Sequence, residues 1–413
     1  MARYLVTGDP VVCLGAQTLI PDGGIVVDEG TITAVGPRAD LEERGPFDRV
    51  LGSAGHFVLP GFINCHYHSE LAIGPGLYQH IFEKANVHIQ AAVGPIAEED
   101  LYHGILWGLI TAIKGGQTAT VDMYYGRPSL PDFGCEPALR AYQDAGLRTA
   151  FGLVSRDQNI YAHEPDEQFL ARLPADLADE VRRSPMGYAW PVEQVMASFQ
   201  RLHAAWHGHD TRIRIVTAPD WTPACSNELY LACRRMADLH GTGMISHVLE
   251  TRSEMMFNLR AHGKTAVRRL ADLGVLTPGT VLEHFVWVTD EDLRVFADSG
   301  AGRVQQPGLQ PPPVHGDLPG PGSVRRGCGR TRVPSGGRRA AVGGTRHLGG
   351  ALSGGLLPAL VPDSRRACIC VQRAAAARSA GSPARLTWSG PGDPHRGPLR
   401  CRRGQAPRRS CPP

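Results

Sequence analysis

The clearest pattern in the chain lies at residues 57–68, which read FVLPGFINCHYH. A short apolar run ends there in two histidines, His66 and His68, separated by one residue. Side chains two apart on an extended strand share a face. Both imidazoles can therefore reach one ion at roughly 2.0–2.1 Å, the usual zinc–nitrogen distance. The segment predicts a strand whose C-terminal end is a two-histidine metal clamp.

From this segment onward the chain repeats a unit of apolar strand, polar loop and helix. The later strands are predicted at TATVDMY, RTAFGLV, RIRIVTA, GMISHV and TVLEHFVWV. Six such units in series favour an α/β fold with a parallel sheet covered by helices, and the (β/α)8 TIM-type barrel is the closed form that suits their number and length. The composition changes near Gly300 before two further units appear. We therefore expect a barrel that is incomplete at strands seven and eight.

The composition divides the chain into three predicted domains. Residues 1–58 alternate short β-rich runs with turn clusters, which predicts a small sheet that forms part of a β-sandwich. Residues 59–300 form the predicted barrel. Residues 301–413 hold 19 Arg, no Lys, no Glu and three Asp, a balance of +16, against −13 for residues 1–300. We expect this Arg-, Gly- and Pro-rich tail to be disordered.

The overall composition of the 413 residues limits the class of protein. The ten Cys lack the spacing of a zinc ribbon or a disulfide framework, and no run of 18 apolar residues occurs. These features predict a cytoplasmic enzyme with reduced thiols and no membrane contact. Trp388 is the only aromatic residue of the basic tail, which argues against nucleic acid as a partner. The sequence leaves the oligomeric state open, a homo-oligomer included.

Further polar residues stand where predicted strands end, which is where barrel enzymes carry their active sites. GMIS ends in His247 and TVLE ends in His284, so four histidines are expected to converge. Glu250 lies three residues after His247, and a carboxylate there can take a proton from water and pass it to a leaving nitrogen. His284 can stabilise an oxyanion or shuttle a proton. Asp122 either lines the same site or fixes a loop, and it stays outside the predicted site.

Four segments resemble, in order, the amidohydrolase superfamily, in the branch of cytosine deaminase, triazine hydrolases and methylthioadenosine or S-adenosylhomocysteine deaminases: PGFINCHYHSE, GGQTATVDM, SHVLE and LEHFVWVTDEDL. The resemblance implies one divalent ion, Zn or Fe, held by His66, His68, His247 and an aspartate after the eighth strand. It also implies Glu250 as the acid/base, His284 as a second proton-handling residue and a β-sandwich built from both chain ends. The other zinc deaminases need P-C-x-x-C, which is absent from the sequence.

We therefore expect a metal-dependent hydrolase of C–N bonds other than peptide bonds, which deaminates a small heterocyclic amidine-type substrate with hydroxide supplied by the metal. Two alternatives stay open: an inactive truncated family member, and a basic tail that binds nucleic acid. Substrate specificity is expected from an insertion at residues 157–188 and from Trp107, Tyr124 and Trp221.

The resemblance stops after Gly302, and no Gly-x-Asp that could supply the fourth ligand follows. Residues 305–318 read QQPGLQPPPVHGDL. If their codons are read one nucleotide further on, they can encode N-N-P-x-S-N-L-R-L-S-T-G-I. This shifted sequence is similar to what the family carries after its seventh strand. The same shift permits Asp-Thr-Ser at Arg346 and His347. We therefore expect a frameshifted tail, an N-terminal sheet without its C-terminal partner strands, and weak or absent hydrolytic activity in the chain as written.

Overall fold

The computed structural model describes residues 2–13, 19–73, 96–127, 130–158, 166–183 and 189–304, together with the backbone of a strand at 369–373. They all belong to one compact unit, Met1–Ala374, and the second unit, Ala375–Pro413, lies outside the described residues. The predictions for the tail, nucleic-acid binding included, therefore lie outside the described residues, apart from 301–304 and 369–373. Among the described helices, none is both long and apolar enough to span a bilayer.

Strands predominate up to residue 67, and helices lie between most of the later strands. The strands are β1 (Arg3–Gly8), β2 (Val11–Val12), β3 (Leu19–Ile20), β4 (Gly23–Asp28), β5 (Thr31–Pro37), β6 (Arg49–Ser53), β7 (His56–Pro60), β8 (Phe62–Tyr67), β9 (Gln117–Tyr124), β10 (Arg148–Ser155), β11 (Ile213–Ile215), β12 (Ala218–Pro219), β13 (Met244–Val248), β14 (Thr280–His284), β15 (Gly302–Val304) and β16 (Ile369–Arg373). The helices are α1 (Arg38–Glu42), α2 (Glu98–Lys114), α3 (Cys135–Ala145), α4 (Asp166–Leu170), α5 (Ala175–Arg183), α6 (Val192–Trp206), α7 (Asn227–His240), α8 (Arg252–His262), α9 (Ala266–Asp272) and α10 (Asp290–Ser299).

The first 60 residues, together with β16, build the predicted β-sandwich. One sheet has the strand order β5-β4-β1-β6 and the other has the order β16-β7-β2-β3. Val6 and Ile25 of the first sheet pack against Val11 and Val58 of the second in one buried cluster. Each buried aliphatic side chain of this kind contributes about 1.5–3 kcal/mol.

Two expectations about this sandwich need correction. The predicted domain boundary at residue 58 falls inside β7, which continues to Pro60. The sheet also keeps a partner from the tail, because β16 pairs antiparallel with β7, from Ile369 opposite Pro60 to Arg373 opposite His56. The Arg-, Gly- and Pro-rich tail therefore supplies one strand, β16, to this sheet.

The remaining strands form a parallel arc in chain order, as the barrel prediction requires. β8, β9, β10 and β11 are neighbours, and β13, β14 and β15 follow in a second sheet. Parallel bridges join the two sheets at Thr217 with Met244 and at Trp221 with His247. All six predicted strands are present. The seventh, expected to be missing, begins as β15 and pairs with β14, whereas the described residues contain no eighth strand and no closed barrel.

The arc has an inner face and an outer face because strand side chains alternate. The inner side chains form one buried cluster: Val121, Met123, Tyr125, Ala150, Val154, Val216, Ala218, Ile245 and Val281. The outer side chains, such as Phe151 and Ile215, pack against the helices. Helix α2 contributes Leu101, Ile105 and Leu109 to this layer, a spacing of four residues that places them on one helix face.

Candidate metal centre and active site

The inner face becomes polar at the C-terminal ends of the strands. Five buried polar or aromatic residues each lie two positions after an apolar residue of the inner face: Tyr125, Arg156, Asp220, His247 and Glu283. Because they lie at or directly after the C-terminal ends of successive strands of a curved arc, they meet at one end of it, as barrel active sites do. The site is thus built where the strands end.

Three histidines lie together at this end of the arc. His66, His68 and His247 each offer one nitrogen, and these atoms all lie within 4.8 Å of one another. The ring centroid of His66 lies 4.6 Å from that of His68 and 5.2 Å from that of His247. The structure therefore brings together the three predicted metal ligands.

Hydrogen bonds fix the orientation of two of these rings. The Nδ1 atom of His68 lies 2.6 Å from the Met123 carbonyl oxygen, and that of His247 lies 3.1 Å from Oδ1 of Asp220. A ring that donates from Nδ1 keeps its Nε2 lone pair for a metal. Burial, above all, lowers the pKa of His68, which keeps this ring neutral. The residues present therefore fit a divalent ion that accepts imidazole ligands.

Asp220 is the centre of a buried network that the sequence analysis missed. Besides His247, its carboxylate accepts a hydrogen bond from the Tyr125 hydroxyl at 3.0 Å and pairs with Arg156 at 3.2 Å. A buried carboxylate and guanidinium stabilise each other only when both are also hydrogen-bonded. The network holds His247 against the ends of the second, third and fourth barrel strands.

His284 and Glu250 join the cluster from neighbouring turns. The His284 ring lies 4.9 Å from that of His66 and 5.4 Å from that of His247. Its Nε2 atom lies 3.8 Å from Oε2 of Glu250, whose side chain is 28% exposed. His284 has φ +68° and Phe285 φ +51°, a left-handed backbone that non-glycine residues rarely adopt. This turn brings His284 beside the histidines, although it directly follows the inward-facing Glu283.

Glu283 is a second acidic residue of the site that was not predicted. It is fully buried, and its Oε2 atom lies 3.3 Å from Nδ1 of His66. Burial, assisted by the negative charge of Glu283, raises the pKa of the Cys65 thiol to about 12. Cys65 is therefore a neutral thiol beside the histidines.

The structure supports the loop-fixing interpretation of Asp122. Its carboxylate accepts hydrogen bonds from the Ser69 N–H at 3.1 Å and the Tyr142 hydroxyl at 2.9 Å. It holds the turn that follows His68. Burial is the main cause that raises the pKa of Asp122 to about 6 and that of the neighbouring Glu70 to about 8.

The prediction that Trp107 and Tyr124 contribute to substrate specificity is wrong. Trp107 is 69% exposed on α2. Tyr124 is fully buried in the helix-facing layer, where its hydroxyl donates to the Gly134 carbonyl at 3.0 Å. Trp221 is buried and its backbone pairs with His247, so it does lie at the site. Within residues 157–188, the described part contains α4 and α5, while 159–165 and 184–188 lie outside the described residues.

The chain is similar in sequence to two deaminases. It is 26% identical over 309 residues to a 5'-deoxyadenosine deaminase of Methanosarcina mazei, covering 74% of this chain and 61% of that protein. It is 28% identical over 307 residues to a 5-methylthioadenosine/S-adenosylhomocysteine deaminase of Symbiobacterium thermophilum, covering 73% and 62%. The chain thus spans about three fifths of these relatives.

Solved structures of low identity agree on the fold. Atrazine chlorohydrolase of Arthrobacter aurescens, complexed with zinc, superposes with a TM-score of 0.62 at 20% identity, over 74% of this chain and 65% of that one. An adenosine deaminase of Xanthomonas campestris with bound zinc gives 0.56 at 19% identity, over 74% and 62%. The model of the amidohydrolase family matches residues 57–307, which contain the strand arc and all the histidines of the site. With more than half of its length matched, the chain belongs to the amidohydrolase family.

Proposed function

We propose that the chain is a metal-dependent aminohydrolase that acts on a small nitrogen heterocycle. The observation that carries the proposal is the group of three histidine nitrogens within 4.8 Å, with Glu250 and His284 beside it. Zinc is the proposed ion, since it favours imidazole nitrogen, and the two solved structures named above hold it. Deaminase names among the relatives support an amino group as the leaving group.

In this proposal the three clustered histidines bind the ion, and Glu250 and His284 handle protons. A divalent ion held by His66, His68 and His247 would lower the pKa of water to about 7 and so supply hydroxide at neutral pH. Glu250 takes a proton from the attacking water and returns it to the leaving nitrogen, so a C–O bond forms, the C–N bond breaks and ammonia departs. His284, 3.8 Å from Glu250, donates to the oxygen on the attacked carbon.

Ammonia release tests this proposal. The full chain, loaded with zinc, is assayed with 5'-deoxyadenosine, 5'-methylthioadenosine, cytosine and an amino-triazine. We expect ammonia from at least one compound and a loss of about 10²–10⁴-fold in kcat for Glu250→Gln with zinc retained. Glu228→Gln, an exposed residue of α7, is the matched control. A Glu250→Gln variant as fast as the parent would overturn the acid–base role.

A specific observation favours a second candidate, an inactive family member. Among the described residues, the potential metal-binding group contains histidines alone, and the family match ends at residue 307. The carboxylate ligand that the resemblance implies is therefore missing from that part of the chain. Zinc binding without ammonia from any of the four compounds is the result expected of this candidate.

A further inference from the structure

The N-terminus of α8 departs from the usual capping arrangement. Its N-cap is Thr251, whose side chain accepts the Glu254 N–H at 3.2 Å. In a capping box, the residue at the Glu254 position returns its carboxylate to the N-cap N–H, as Asp292 does to Thr289 at the start of α10, at 2.9 Å. Glu254 instead accepts the N–H of Glu250 at 2.9 Å. The helix therefore binds the backbone of the proposed acid–base residue.

The second carboxylate oxygen of Glu254 is also engaged. It accepts the Thr222 hydroxyl at 2.9 Å, and the Asn258 amide donates to the same hydroxyl oxygen at 2.8 Å. All three side chains are buried. Glu254 thus ties the turn after β12 to the turn after β13, and its own position is fixed from both sides.

The backbone of the Glu250 turn is strained and is held at a second point. Leu249, the preceding residue, has φ +55°. Its carbonyl accepts the N–H groups of Val286 and Trp287, both at 3.0 Å. A non-glycine residue stays in this conformation only where its surroundings fix it. The turn after β14 fixes one side of Glu250, and Glu254 fixes the other.

We propose that Glu254 is a positioning residue that holds the Glu250 carboxylate beside the histidine cluster, 3.8 Å from His284. The inference rests on the proposed acid–base role of Glu250. A proton-transferring group must stay within hydrogen-bond reach of the water and the leaving nitrogen that it serves, and a displacement of about 1 Å can cost about 10²-fold in rate. Without the Glu254 carboxylate, the Glu250 N–H loses this acceptor and the strained turn loses one of its attachments.

Three variants of the zinc-loaded full chain test this inference. Glu254→Ala removes the acceptor, and Glu254→Gln keeps one oxygen for the Glu250 N–H while its amide can donate to Thr222. Asp292→Ala is the matched control, because it removes a buried carboxylate at the equivalent position of α10. Amide hydrogen exchange at Glu250 is measured in each, together with kcat, KM and zinc content on the compound that the parent deaminates.

For Glu254→Ala we expect exchange at Glu250 to be at least about tenfold faster and kcat to fall about 10–100-fold, with KM and zinc content within about twofold of the parent. Glu254→Gln should restore both readouts, and Asp292→Ala should change neither. Unchanged exchange at Glu250 in Glu254→Ala, or an equal kcat loss in Asp292→Ala, overturns the inference. If Glu250→Gln stays active, the proposed function fails and this inference with it; if Glu250→Gln is inactive while Glu254→Ala keeps its kcat, this inference alone fails.

Discussion

The Nε2 atom of His284 lies 3.8 Å from Oε2 of Glu250, although His284 ends β14 and Glu250 follows β13. The turns that carry them are joined by backbone hydrogen bonds from Val286 and Trp287 to Leu249. Left-handed residues occur in both turns, at Leu249 and at His284. The spacing of the pair is therefore set by the backbone, which suits groups that must act on the same substrate without first reorganising.

The first prediction concerns His284. Replacing it with Asn removes the titratable ring, so kcat for ammonia release should fall about 10²–10⁴-fold while zinc content stays near that of the parent. The measurement is steady-state kinetics on the compound that the parent deaminates. His103→Asn, an exposed position on α2, is the control. Equal kcat in the parent and His284→Asn would remove His284 from the mechanism.

The second prediction concerns the three histidines of the metal cluster. Ala at His66, His68 or His247 removes one of three imidazole ligands, so bound zinc should fall from about one ion per chain to a small fraction after dialysis. Metal analysis by atomic emission measures it. His103→Ala should keep the parent's zinc. A full complement of zinc in any of the three variants would contradict the assigned ligand set.

The third prediction concerns Asp220, which orients His247 and pairs with Arg156. Asn at this position keeps the shape but loses the charge, and we expect zinc affinity to weaken about 10–100-fold, as for other carboxylates that orient a metal-binding histidine. Competitive titration with a chelating dye measures the Kd. Asp210→Asn, which removes a surface pair with Arg212, should leave it unchanged. An unaltered Kd in Asp220→Asn would separate this network from metal binding.

Much of the fold and part of the site follow from strand periodicity. The six strands were predictable because each is a short apolar run between turn signals and helices. The same alternation could have found Asp220 and Glu283, which stand two residues beyond Ala218 and Val281 on the inner face. The same alternation could also have excluded Tyr124 from the site, since its neighbours Met123 and Tyr125 face inward.

Other features depend on contacts that no local pattern contains. The sequence does not show that Glu254 binds the N–H of Glu250, because Thr-x-x-Glu ordinarily predicts a capping box closed on the threonine. The left-handed backbone of His284 is equally hidden, since few histidines adopt it and nothing in the neighbouring sequence marks this one. Trp107 was misplaced because a large aromatic residue on a helix can face either solvent or the core.

The fourth prediction concerns the reading frame. We propose that a one-nucleotide shift near codon 305 separates this chain from its family, consistent with a family match that ends at residue 307. Restoring the frame should add the missing carboxylate ligand and the last barrel strands, so zinc affinity and Tm should both rise. Calorimetry and zinc titration of the two proteins measure this. Coding DNA without an aspartate codon at the shifted position of Arg346 would contradict the frameshift.

A separate histidine cluster lies at the C-terminal ends of α6 and α7. The His207 ring stacks on that of His203 at 4.1 Å, and His203 in turn lies 4.3 Å from the His240 ring. His207 accepts the Ile215 N–H at 3.2 Å, and Arg214 lies 3.3 Å from its other nitrogen. Burial, followed by the charges of His203 and Arg214, lowers the pKa of His207 to about 4.

The fifth prediction is that this ring makes the protein acid-sensitive. A pKa that is lower in the folded state than the usual 6.5 means that His207 stabilises the fold above about pH 6.5 and loses this contribution as the pH falls towards 4. Because the ring is partly exposed, screening reduces the loss to about 1 kcal/mol. His207→Asn keeps an acceptor for the Ile215 N–H without titrating, so urea unfolding should show a smaller drop in stability from pH 7 to pH 4.5 than in the parent. Equal drops in the two proteins would show that the acid sensitivity arises elsewhere.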